Sequence, residues 1–324
     1  MSRLRIDLHR HLEGSIRPEI LLEIAREYRV PIVSDRLEDL RSQMRMTAAG
    51  HLNLPTFLLK FAVLRPFWVH RGAIERAARG AVEDAAREGV RHLELRFNPS
   101  FFSLERNFDP REVGRWICAA ARCEARLRGI GVEFVGCVIR HLPPEMNRPV
   151  LDLAFEGEWF AGLDLAGHEG MADGLEYAPE FRRAREHSLG ITVHAGELRG
   201  TGRNVRAAIE RFQASRIGHG LCALRDPRLL DEVFDAGVTL EICPTSNRLT
   251  GQVREDSSHP AWRTEGVPMV LGTDDPAIFG TDLAAEEAIA VQGGLDLKVC
   301  RSRACQVAFL TQIDRTSLRK KVSD

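Results

Sequence analysis

Eight short apolar runs rich in β-branched residues recur along this chain of 324 residues, and a helical stretch follows each of them. They lie at 3–9, 91–98, 132–139, 159–165, 190–194, 215–218, 238–242 and 267–272. From the second run onward their ends fall near 98, 139, 165, 194, 218, 242 and 272, at intervals of 41, 26, 29, 24, 24 and 30 residues. A βα unit of an eight-fold barrel averages roughly 31 residues. The pattern predicts an α/β fold, a (β/α)8 TIM barrel formed by one domain over residues 1–324.

One interval departs from this period: 89 residues separate the ends of the first and second runs. The excess reads as a helical insertion at about 17–88, and its segment 54–61 carries Leu54, Phe57, Leu58 and Phe61 at helical spacing. Barrels hold their active sites at the carboxyl ends of the strands, so an insertion after the first strand is expected to cover the pocket as a lid. Residues 72–89 form an amphipathic helix with Ile74, Ala77, Ala78, Ala81, Val82 and Ala85 on one side, ended by Gly89. Asp109-Pro110 and Asp226-Pro227 read as N-caps followed by proline at the first helical position. Residues 298–324 are expected to be helical as far as a frayed R-K-K-V-S-D end.

Four of the runs end in residues that carry chemistry. The strings are I-D-L-H-R-H-L-E-G-S (6–15), T-V-H-A-G-E (192–197), R-I-G-H-G (216–220) and V-L-G-T-D-D-P (270–276). His9 and His11 stand two apart on a strand and so share a face, the barrel interior if Ile6 and Leu8 point outward. Two inward imidazoles are hard to satisfy without a metal ion. His194 and Asp274 end two further strands, and three imidazoles with one carboxylate suit zinc better than iron or manganese. Glu197 follows a turn-forming glycine and is placed to be a buried, protonated acid. His219, flanked by glycines, can approach the water of such a site and take its proton. Asp275 either faces a ligand or caps the helix begun by Pro276. The chain reads as a metal-dependent hydrolase.

Composition narrows the setting. A formal net charge of -1 gives no reason to expect nucleic acid or an anionic membrane as partner, and no apolar run approaches the length of a membrane helix. Seven cysteines without a C-x-x-C pair suit a reducing compartment, and with no secretory h-region the expectation is a cytoplasmic protein. The oligomeric state is left open.

With L-D-L-A-G-H-E (163–169) and C-P-T-S-N (243–247) added, the strings resemble the adenosine deaminase family of the amidohydrolase superfamily, in family order from residue 6 to about 290. The resemblance implies one zinc ion per chain, held by His9, His11, His194 and Asp274, and a small purine as substrate. It implies Glu197 donating a proton to purine N1, His219 assisting the attacking hydroxide, Gly167 meeting N3 through its N–H, and Asp275 meeting N7. Leu54, Phe57, Leu58 and Phe61 match the segment that covers the sugar side. Arg96 and Arg140 match positions read as structural, through pairing with carboxylates.

Two departures bear on the substrate. The family's L-A-G-D-E is L-A-G-H-E here, so His168 replaces an acidic residue, and Glu13 stands where adenosine enzymes commonly carry aspartate for a sugar hydroxyl. The expected reaction is hydrolytic deamination of a 6-aminopurine nucleoside, adenosine foremost. Adenine and a 5′-modified adenosine such as aminodeoxyfutalosine are the alternative substrates. A non-catalytic binding barrel is the remote alternative, since every ligand, the acid and the base are present.

Overall fold

The computed structural model describes residues 4–264 and 266–310. Eight strands form one parallel sheet in sequential order: β1 (Arg5–His11), β2 (Val90–Phe97), β3 (Gly131–Ile139), β4 (Gly162–Ala166), β5 (Gly190–Ala195), β6 (Arg216–His219), β7 (Thr239–Ile242) and β8 (Met269–Leu271). The sheet closes just past β8, where the Asp274 N–H donates to the His9 carbonyl at 2.7 Å and the His11 N–H donates to the Asp274 carbonyl at 2.8 Å. Helices lie between the strands, as the sequence period predicts for a TIM barrel.

The pleat sorts β1 into two faces. Leu4, Ile6 and Leu8 pack outward with Val270 against Ala304, Cys305 and Ala308 at the end of the last helix, Leu297–Val307. His9 points inward and is fully buried. The interior of the lower barrel is polar: Arg216 pairs with Glu94 and Glu241, all three fully buried. Phe309 closes the bottom, its N–H donating to Glu94 and its ring lying 3.6 Å from the Arg216 guanidinium carbon. Gly162 and Gly190 leave room for this ring, because a Cβ at either would come within 2.5 Å of it.

The expected elements are found with shifted ends. The 159–165 run starts pairing only at Gly162, and Phe160 instead packs its ring against Phe97. The terminal helix stops at Val307, because the chain turns into the barrel floor at Phe309; the rest of that expectation lies outside the described residues. Asp109 and Asp226 cap as expected, accepting from Arg111 N–H and Arg228 N–H. Asp275 precedes Pro276 without a side-chain cap bond, so its carboxyl is free for another role.

Between β1 and β2 lie five α-helices, Pro18–Tyr28, Leu37–Met44, Leu54–Leu59, Phe61–Leu64 and Arg71–Arg87. The last buries Ile74, Ala77, Ala78, Ala81, Val82 and Ala85, as its periodicity predicts. The Leu54–Leu59 helix is capped by Asn53, which accepts from Thr56 N–H. It packs through Leu54 and Phe57 onto Ile278 and Phe279, the turn that follows Asp275, with Phe57 stacked on Phe279 at 4.9 Å. A further tie is the Met46 N–H, which donates to the Ile278 carbonyl. No helix among the described residues is long and apolar enough to cross a membrane.

Candidate active site

The carboxyl ends of three strands, β1, β5 and β8, bring His9, His11, His194 and Asp274 together, with one potential ligand atom from each lying within 4.8 Å of the others. His11 Nε2 is 3.3 Å from His194 Nε2 and 3.4 Å from Asp274 Oδ1, and His9 Nε2 is 3.5 Å from the same oxygen. A tetrahedral ion with ligands at about 2.0–2.1 Å separates them by about 3.3 Å, so these spacings fit such an ion. His9 Nε2 is buried without a protein hydrogen-bond partner, as a ligand nitrogen would be.

The opposite ring nitrogens explain why these imidazoles stand so. His9 Nδ1 lies 2.6 Å from Glu241 and His194 Nδ1 lies 3.0 Å from Asp164. A carboxylate there accepts a hydrogen bond from Nδ1–H, which keeps the proton on Nδ1 and leaves Nε2 with a lone pair for metal. Arg96 links both carboxylates, donating to Asp164 at 2.8 Å and Glu241 at 3.0 Å. Burial pushes these carboxyls up, but His194 and Arg96 hold Asp164 well below the ordinary range, and Arg96 and Arg216 do so for Glu241. Arg96 thus pairs with carboxylates as expected. Arg140 does not: it donates to the carbonyls of Leu165, Ala166 and His194, tying β4 to β5.

Above these ligands a cavity is lined by His11, Glu13, Leu54, Phe57, Leu58, Phe61, Gly167, His194, Glu197, His219, Asp274 and Asp275, the expected site residues other than His9. Phe101, Cys137, Ile139, His141, Leu142 and Ala166 complete the wall. Burial pushes the Glu197 carboxyl up to about 8, helped by the negative charges of Asp274 and Glu169, so it carries a proton at neutral pH. His219 and Asp274 are non-glycine residues in the left-handed region, at φ 64° and 61°, a strain found where side chains are aimed at chemistry.

Glu13 and Asp275 face the cavity from adjoining positions. Glu13 accepts from the Asn98 N–H through one oxygen, while its other oxygen and Asp275 Oδ1 are buried without protein partners. Burial raises both carboxyls, Glu13 to about 8, and the charge of Asp274 raises Asp275 further. Only glycine fits at position 14, because a Cβ there would come within 1.9 Å of Asp275 Oδ1.

A sequence profile of the adenosine deaminase family matches residues 5–324. The chain belongs to the adenosine deaminase family. An adenosine deaminase of Serratia proteamaculans is 35% identical over 99% of this chain and 98% of its own. An N6-mAMP deaminase of Arabidopsis superposes with TM-score 0.85 at 27% identity, covering 99% of this chain and 98% of that one. An adenine deaminase of Arthrobacter aurescens shares the fold, with TM-score 0.87 at 23% identity over 98% and 97% of the two chains. The protein is a hydrolytic deaminase on the adenosine deaminase barrel.

Several residues of this deaminase site escape sequence reading. Glu169 accepts from Gly196 N–H, Leu198 N–H and Asn204, and so fixes the loop that carries Glu197. Asp164 and Glu241 were visible only as lone charges inside apolar strands, a signal that marks a buried partner without naming it. His141 accepts from the His168 N–H through Nδ1 and lines the wall beside Gly167. The replacement His168 itself is half-buried and accepts from Gly170 N–H.

Proposed function

We propose that this deaminase acts on a neutral 6-aminopurine nucleoside, adenosine foremost, with one zinc ion per chain held by His9, His11, His194 and Asp274. The observation that carries the substrate choice is the chemistry of the cavity wall. Among the described residues that line it there is no lysine or arginine, while Glu13, Glu197, Asp274 and Asp275 all do. A 5′-phosphate buried there would have no cationic partner, which argues against a nucleotide substrate. The unpartnered Glu13 and Asp275 oxygens instead suit hydroxyl and ring-nitrogen groups.

Zinc, when bound, lowers the pKa of a coordinated water to about 7 and so supplies the nucleophile. The Gly167 N–H faces purine N3 and Asp275 meets N7, which orients the base. Glu197 gives its proton to N1, and this draws electrons from C6 as water adds there. His219 stands beside the attacking oxygen. When the C6–N bond breaks, the exocyclic nitrogen leaves as ammonia and a carbonyl remains at C6. Leu54, Phe57, Leu58 and Phe61 cover the sugar, with Glu13 bonding a hydroxyl. The segment of about 17–88 acts as the lid, and its seat on Ile278 and Phe279 couples it to the turn after Asp275. We assign the enzyme to the cytoplasm, a setting that suits its unpaired cysteine spacing.

Ammonia release from a panel of adenosine, adenine and AMP tests this reading. Adenine as the preferred substrate would correct the substrate and leave the reaction standing.

A further inference from the structure

A chain of buried hydrogen bonds runs from the backbone to His219, and each link has one possible direction. The Ala261 N–H lies 3.2 Å from His259 Nδ1, His259 Nε2 lies 3.1 Å from Asn247 Oδ1, and Asn247 Nδ2 lies 2.9 Å from His219 Nδ1. Asn247 and His259 are fully buried and His219 is 1% exposed, so no bulk water can substitute for a missing partner.

The direction follows from the backbone end. An amide N–H only donates, so His259 Nδ1 accepts and carries no proton. Burial, with the charge of Arg225, holds the His259 imidazole down at about 3, so at neutral pH it is uncharged. Its one proton therefore sits on Nε2 and points at Asn247 Oδ1. The amide must then turn its NH2 toward His219, where Nδ1 accepts. A neutral His219 keeps its single proton on Nε2, the nitrogen 4.0 Å from Asp274 Oδ2 at the cavity wall.

We propose that Asn247 and His259 are positioning residues that fix which ring nitrogen of His219 carries the proton, so that His219 meets the reacting oxygen as an N–H donor. This rests on the deaminase reading of the site. It also revises the sequence expectation for His219. With Nε2 already protonated, the ring has no lone pair there with which to take a proton from water. What it offers is a fixed donor that favours ionisation of the attacking water and aims its oxygen at C6. Removing one such donor from an enzyme typically costs 10²–10³ in kcat. Asn247 lies in C-P-T-S-N and His259 in the loop before β8, and neither touches the cavity.

The test reads the protons directly. In the zinc-loaded wild-type protein with ¹⁵N-labelled histidine, NMR should show His219 and His259 both protonated on Nε2 and not on Nδ1. Asn247→Asp replaces the amide with a group that accepts from both rings, and it should move the His219 proton to Nδ1. That variant should keep its zinc and change KM by less than about fivefold, while kcat falls about 10²-fold or more. His259→Gln, which retains a donor toward Asn247, should keep kcat within a few-fold, whereas His259→Leu should lose at least tenfold. A wild-type His219 proton on Nδ1, or a doubly protonated ring, overturns the proposal even if Asn247→Asp does not fold. So does an Asn247→Asp enzyme that moves the proton yet keeps wild-type kcat. Absence of ammonia release by the wild type would count against the deaminase reading alone, because the histidine spectrum is read without turnover.

Discussion

The backbone N–H of Asp274 donates to the carbonyl of His9 at 2.7 Å, so the two residues that bracket the barrel's seam also face each other in the candidate metal site. The barrel closure and the ligand geometry are one construction. His11 is bound to the other side of Asp274, which fixes three of the four proposed ligands through main-chain bonds that folding of the sheet already requires. The left-handed φ of Asp274 is the local cost of this arrangement.

Removal of one ligand tests the metal assignment. His11→Ala should lose both zinc and turnover, while far-UV circular dichroism and the melting transition stay those of a folded barrel, because the apolar layers are untouched. Elemental analysis of wild type should give about one zinc per chain. Full metal content in the variant would refute the ligand set.

Glu197→Gln keeps the shape of the acid and removes its proton. Binding of a purine nucleoside should survive, and kcat should fall by roughly 10²- to 10⁴-fold. Inhibition by the product nucleoside reports the first effect and single-turnover kinetics the second. A variant with near-native kcat would remove Glu197 from the proton path.

Glu13 separates nucleoside from base. Its buried, unpartnered oxygen should bond a sugar hydroxyl, and leaving such a group unmatched costs on the order of 1–3 kcal/mol. Adenosine should therefore exceed adenine in kcat/KM by about tenfold to a few hundredfold. Glu13→Ala should narrow this ratio by weakening adenosine more than adenine. An unchanged ratio would place the discrimination elsewhere in the lid.

Glu286 gives a pH test of stability away from the reacting groups. It is buried on the helix Leu283–Gln292, accepts from Thr245 N–H and Thr281 Oγ1, and so supports the C-P-T-S-N segment. Burial pushes its carboxyl up to about 7, against the opposing effect of those hydrogen bonds. The folded state thus binds its proton more tightly than the unfolded chain does. The corresponding stability is full below the ordinary carboxylate range and is lost as pH rises through about 7. Glu286→Gln stays neutral, so between pH 5 and pH 8 wild type should lose roughly 1–3 kcal/mol relative to the variant. Thermal melts of the two proteins at both pH values measure this, and parallel pH dependence would contradict it.

The sequence was most legible where chemistry coincides with a strand end. His9, His11, His194 and Asp274 are readable because a two-residue repeat and a β-strand break fix which way they face. The Leu54, Phe57, Leu58 and Phe61 stripe was readable from helical spacing, though the helix breaks at Lys60 between Leu54–Leu59 and Phe61–Leu64. What stayed hidden depends on contacts across the barrel. Glu241 meets His9 over a separation of 232 residues, and Asn247 meets His219 over 28. No local period encodes such pairs. Likewise Phe309 as the barrel floor is set by the space over Gly162 and Gly190, not by the helix that precedes it.

The central claim is most directly tested by giving the purified zinc-loaded protein adenosine, adenine and AMP separately and measuring ammonia and the deaminated purine formed. Adenosine should yield inosine and ammonia in equal amounts, with kcat/KM at least about tenfold above adenine. AMP should fall about 10²-fold or more below adenosine, because its phosphate would be buried without a cation. Preference for adenine or AMP, or no ammonia from any of the three, would contradict the account.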